Sequence, residues 1–315
     1  MKSTFVFIII MSTFRLFAQD DTTVVNITKE MNDQKKKEAT KVFYDQRLIN
    51  ANTVEVLRKG VLEFKVTHNF GDIAGSGGGI KNFFGLDNAA DVKIAFQVAL
   101  GNKLNVVAAR AKGGGLVQKL WELGLKYQFL QQMENDPKHP FSLTLYANTV
   151  VSAMKTSAFA DQENSFKDFS DRLSQMIQLM IARKFGGVSL QLNPTYVHTN
   201  YVVPGDDKSI FALGGAVRLP ISKRFVLIAD YFHPFRSEDS RNVLRSQGFP
   251  VYDVFGAGIE IITQGHIFHM NFTNATNIIE NRFIPRTNTS WGNGQYRWGF
   301  SISRRFVLFR DKKNE

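Results

Sequence analysis

The chain contains no cysteine, which excludes a disulfide framework, a thiolate metal site and a cysteine-linked lipid anchor. Beyond its first residues it also lacks long apolar runs. None approaches the roughly 20 residues that a helical membrane span requires. Charged residues make up 21% of the sequence, hydrophobic residues 43%, and the mean hydropathy is −0.17. A helical membrane protein is therefore excluded. Negative charge is the scarcer sign, with 28 Asp and Glu against 39 Lys and Arg, a formal net charge of +11. Nucleic-acid binding would need basic residues clustered with aromatics between them. The densest cluster, Lys35, Lys36 and Lys37, instead sits in a polar tail, and Arg304, Arg305, Arg310, Lys312 and Lys313 bracket the other end. Solvated termini and membrane-headgroup contacts account for the surplus, and no nucleic-acid partner is expected.

Residues 1–18 read as a secretory signal peptide: Lys2 gives the charged start, residues 5–11 the apolar core, and Ala18 a small residue at the cleavage site. Arg15 and Leu16 depart from that pattern. Residues 19–60 follow as a periplasmic tail and lead-in. The tail is polar and without period, and residues 43–60 suit either a short helix or a plug-like entry. Residues 61–309 carry strand after strand, and residues 310–315 form a charged tail.

The strands announce themselves by period-2 alternation. Trp121, Leu123, Leu125, Tyr127 and Phe129 alternate with Glu122, Gly124, Lys126 and Gln128. In residues 295–309, Tyr296, Trp298, Phe300 and Ile302 alternate with Arg297, Gly299, Ser301 and Ser303. Similar runs bring the count to about twelve. Connections separate a membrane barrel from a soluble one. Short links at 101–103, 185–187, 220–223 and 264–265 alternate with long ones at 69–90, 153–171, 234–250 and 274–293. Tight periplasmic turns and longer outer loops are the pattern of outer-membrane barrels. Two links depart from it, a short one at 112–115 and a long one at 132–140. The expected fold is all-β: a transmembrane up-and-down antiparallel β-barrel of about twelve strands in the outer membrane of a Gram-negative bacterium. Its last strand pairs with its first, which removes the open edges.

Several stretches carry a family resemblance: the lead-in at 47–55, then His68, Asn69, Phe70 and Gly71, then residues 84–88, 179–185, 189–198, 265–274 and 298–305. In that order they resemble an uncharacterised family of outer-membrane β-barrels from Bacteroidetes-type bacteria, known only as a domain of unknown function. The resemblance implies fold and location, and no activity. Outer-membrane lipid and the barrel-assembly machinery are the partners such a barrel implies, with a periplasmic or cell-surface protein as a further expectation.

No motif implies a cofactor, a metal or catalysis. His266 and His269 would share a helix face, but on a strand they point to opposite sides. Residues 75–79, around Ser76, match neither a nucleophile elbow nor a phosphate loop, since no helix follows. A lipid hydrolase would need a nucleophile, a base and an orienting group on neighbouring strand ends. His198 with Thr199 and Asn200, or His266 with Ser290, supply the residue types without a motif. The polar side of the strands says more. Placed inward it carries Lys65, Lys93, Lys126, Lys184, Arg218 and Arg297 with Glu63, Glu122, Asp230 and Glu260. Such a mixture suits a narrow polar pore, or an ion-paired interior that holds the barrel shut.

Overall fold

The computed structural model describes residues 39–134 and 136–309. The signal peptide, residues 19–38 and the charged tail at 310–315 lie outside the described residues. Twelve strands form one closed antiparallel barrel in which sequence neighbours are spatial neighbours. They are β1 (Val61–Asp72), β2 (Ala89–Ala99), β3 (Leu104–Lys112), β4 (Leu120–Leu130), β5 (Ser142–Ser152) and β6 (Leu173–Phe185). β7 (Val188–Thr199), β8 (Ser209–Pro220), β9 (Phe225–Phe235), β10 (Val254–Ile262), β11 (His266–Thr273) and β12 (Arg297–Val307) complete it. Two short helices, α1 (Glu238–Ser246) and α2 (Glu280–Arg286), lie in the loops before β10 and β12.

Closure is made by β1 against β12, in register from Val61 opposite Val307 to Asn69 opposite Gly299. The two chain ends of the barrel therefore lie at the same rim, where the Leu308 N–H donates to the Gly60 carbonyl at 2.8 Å. Short turns join β2–β3, β6–β7, β8–β9 and β10–β11 at that rim, and the longer loops gather at the other. The closing strand begins at Arg297, after a short 3-10 turn at Trp291–Asn293.

No helix among the described residues is long and apolar enough to cross a membrane; the strands do so. Strand alternation sorts side chains as the period demands. Trp121, Leu123, Leu125, Tyr127 and Phe129 of β4 are all exposed on the outer wall, while Glu122, Lys126 and Gln128 are buried inside. Two lumen-facing glycines allow large rings to lie across neighbouring strands. A Cβ on Gly124 would meet the Tyr146 ring at 2.6 Å, and Gly214 lies under Phe232 in the same way.

The long β4–β5 connection, an exception to the loop pattern, has a structural reason. Ala39 bridges to Met133, and the Thr40 N–H donates to the Gln132 carbonyl at 2.7 Å. This turn is extended because it receives the lead-in as the chain enters the barrel.

Candidate functional site in the barrel lumen

The lead-in neither stays in the periplasm nor forms a helix. It enters the lumen, turns and returns, and most of residues 40–57 are buried. At its base, one Glu55 oxygen accepts the N–H groups of Val42 and Phe43 at 2.9 and 3.0 Å. Above that, Thr53 N–H donates to the Gln46 carbonyl, Arg47 bridges Asn52, and Leu48 N–H donates to the Ala51 carbonyl at 2.9 Å. The result is a tight hairpin with residues 48–51 at its tip.

A short irregular segment in a closed interior must satisfy its backbone groups from side chains. Asp230 of β9 does this at the tip. One carboxylate oxygen accepts from Ile49, Asn50 and Ala51 N–H at 3.1, 2.7 and 2.9 Å, and the other accepts from the Asn50 amide at 2.8 Å. Gly256 of β10 makes the approach possible, since a Cβ there would stand 2.8 Å from both Ile49 and Asn50 side-chain atoms. Lower down, Gln191 accepts from Val54 N–H and donates to the Asn52 carbonyl, while Thr144 donates to the Val54 carbonyl at 2.6 Å. Phe43, Leu48 and Val54 are fully buried in one apolar cluster with Met176, Met180 and Phe232 of the wall.

Of the ten charged residues expected on the inner wall, nine are buried in the interior. Lys65 pairs with Asp45 of the hairpin at 2.6 Å and donates to the Arg47 carbonyl at 3.0 Å. Lys93 meets Glu122 at 2.6 Å, Arg218 meets Glu260 at 2.8 Å, Glu63 meets Arg305 at 2.9 Å, and Arg297 meets Asp72 at 3.0 Å. Lys126 donates to Gln46 of the hairpin at 3.0 Å, and Asp230 holds the tip. Lys184 is the outlier. It sits half-buried near the end of β6, joined through its backbone to the Gln132 side chain, outside the paired interior. Sequence reasoning missed Asp45, Gln46, Asn50 and Arg47 because they lie on no strand. For Arg47 and Asn50 the one signal was the family-like stretch at 47–55; Asp45 and Gln46 lie outside it.

The hairpin also reaches the outer side. Arg47 binds Glu280 of α2 at 2.7 Å and donates to the Ile278 carbonyl at 2.5 Å, while Asn52 donates to the same Glu280 oxygen at 2.8 Å. The β11–β12 loop folds inward to make this contact, burying Phe283 against Phe232 at 5.4 Å between ring centroids. Outside it, Glu163 of the β5–β6 loop holds Arg282 and Arg286 at 3.1 and 2.5 Å, and Asp206 of the β7–β8 loop holds Arg286 and Arg236. Burial alone would raise the Glu163 pKa, but the two guanidiniums outweigh it and hold the carboxyl below the usual glutamate range.

The interior space left between Gln46, Glu63, Lys65, Lys93 and Lys126 is about 40 Å³, room for a few waters. The hydrolase candidates are not assembled. His266 opens β11 at the short-turn rim, and Ser290 lies in an outer loop. His198 Nδ1 does contact Ser209 Oγ at 2.8 Å, with Tyr196 on the same hydroxyl. That nitrogen is the one an orienting carboxylate would use, and no carboxylate binds the ring among the described residues. His269 is buried against the Leu48 carbonyl and Glu260, while His266 lies on the other side of its strand.

A model of the family described as "Membrane bound beta barrel domain (DUF5777)" matches residues 43–306. The chain belongs to that family. The match begins at Phe43, so the lumen hairpin is part of the family domain. The closed, even-stranded, up-and-down barrel with short turns at one rim and an apolar outer wall is an outer-membrane protein. Among solved structures, the family member is similar to a KdgM porin (7% identity, 78% of this chain and 98% of that one, TM-score 0.44). It is also similar to the COG4313 outer membrane channel from Pseudomonas putida F1 (10% identity, 80% and 98%, TM-score 0.46). LpxR from Salmonella typhimurium is a third (11% identity, 78% and 99%, TM-score 0.36). No curated protein is significantly similar in sequence.

Proposed function

We propose that this barrel is a closed platform for a protein partner, presented through its outer loops and N-terminal segment, rather than a pore for small polar solutes. The hairpin of residues 42–57 carries this reading: it fills the lumen with satisfied backbone and paired charge. Removing one member of a buried pair leaves an uncompensated charge and costs about 3–5 kcal/mol, so the interior resists partial opening. The Arg47–Glu280 pair supports the docking role, because it joins the periplasmic entry of the chain to an outer loop. Planar-bilayer recording tests the proposal. Wild-type protein is expected to give no steady conductance, and a variant lacking residues 42–57 is expected to conduct. Steady ion-selective steps from the intact protein would favour the pore.

A further inference from the structure

The outer wall carries two adjoining hollows that the lumen does not explain. The first is an apolar groove of about 700 Å³ along the membrane-facing side of β6–β10, walled by Leu190, Leu192 and Val217. It exists because Gly215 and Ala229 stand where neighbouring outward positions hold large side chains. Tyr231 and Phe255 close its outer end and also line the second hollow, a polar cavity of about 530 Å³ at the outer rim.

In that cavity Asp253 is already occupied: His233 Nδ1 lies 2.9 Å from one oxygen, and the Tyr231 hydroxyl donates to the other. What remains for an anionic ligand is led by a cation. The Arg241 guanidinium, on α1, pairs with no described residue, and no described residue takes the other His233 nitrogen. Ser290 adds a hydroxyl. The aromatic edge fits the headgroup level of a bilayer. Trp291 stacks on Tyr296 at 4.6 Å and anchors its indole N–H on the Phe255 carbonyl at 3.0 Å.

We propose that the two hollows form one binding site for a phosphate-bearing lipid of the outer leaflet, its head beside Arg241 and His233 and an acyl chain in the groove. Continuity through Tyr231 and Phe255 favours a lipid over free phosphate, since phosphate alone would have no use for the groove. The test is native mass spectrometry of the full chain in detergent, titrated with dimyristoyl phosphatidic acid. One saturable adduct is expected. Dimyristoylglycerol, with the same chains and no phosphate, is expected to bind at least tenfold more weakly, and inorganic phosphate is expected not to displace the lipid. Arg241→Ala and Ala229→Phe, which remove a head contact and fill the groove, should each weaken binding about tenfold. Arg241 lies on an exposed helix, so that variant decides the matter even if Ala229→Phe fails to assemble. Equal binding of the diacylglycerol, displacement by phosphate, or unchanged affinity in Arg241→Ala overturns the proposal.

Discussion

The Asp230 carboxylate offers the sharpest perturbation of the lumen. Asp230→Ala deletes the acceptor for three backbone N–H groups at the hairpin tip and for the Asn50 amide. Each buried donor left without a partner costs about 1–3 kcal/mol. Counting only the three backbone groups at the lower bound gives about 3 kcal/mol. At 1.4 kcal/mol per tenfold, that is about a hundredfold increase in the open population of the tip. The barrel wall keeps its ladder, so the loss should be local. Hydrogen exchange of the Ile49, Asn50 and Ala51 amides in the full-length protein reads it directly: about a hundredfold faster exchange there, with β9 and β10 unchanged. Asp230→Asn retains one acceptor oxygen and should fall between. Unchanged exchange at 49–51 in a folded Asp230→Ala barrel would refute the claim that this carboxylate holds the hairpin.

Gly256→Val would set new atoms against Ile49 and Asn50, with an overpacking cost of about 1–3 kcal/mol. It should speed exchange at the tip without affecting the base near Glu55, whereas uniform loss of protection would contradict the tip contact. Leu125, exposed on the outer wall at the middle of β4, should resist charge. Leu125→Arg is expected to cost about 2–4 kcal/mol of barrel stability, measurable as an earlier urea midpoint in lipid vesicles. The outer clasp should respond to acid in one direction. Glu163 titrates below its ordinary value in the folded loops, so the released loop binds more protons in the window between the two values. Clasp stability is therefore full above about pH 4.3, the ordinary glutamate value, and lost as pH falls through the lower one. Pepsin cleavage within residues 153–172 should rise only below about pH 4. Glu163→Gln should raise it at every pH, and a wild-type loop that opens between pH 7 and 5 would contradict the assignment.

Alternation made the wall legible. In β4 and β12 the residues expected outward and inward lie where period 2 puts them, because a strand offers only two faces and lipid accepts only one kind. The closing of β1 on β12 was legible for a related reason: an apolar strand cannot keep a bare edge in lipid. The interior was less legible. Glu122 and Lys93, or Arg218 and Glu260, are far apart in sequence, and nothing local says which cation meets which carboxylate. His266 and Ser290 looked compatible as residue types, yet the topology puts them at opposite rims.

The sequence by itself determined the class of this protein: a chain of half-apolar strands, with short and long connections in alternation, closed in an outer membrane. Only the tertiary structure placed the lead-in segment inside the lumen. Residues 39–57 have no period to read, since their conformation is set by partners more than a hundred residues away, Asp230 and Gln191 in the wall and Glu280 in an outer loop. A segment whose place is fixed by hydrogen bonds to distant side chains, beside a few of its own, carries little local signature of its fold. That is why its place inside the barrel emerges only when the wall closes around it.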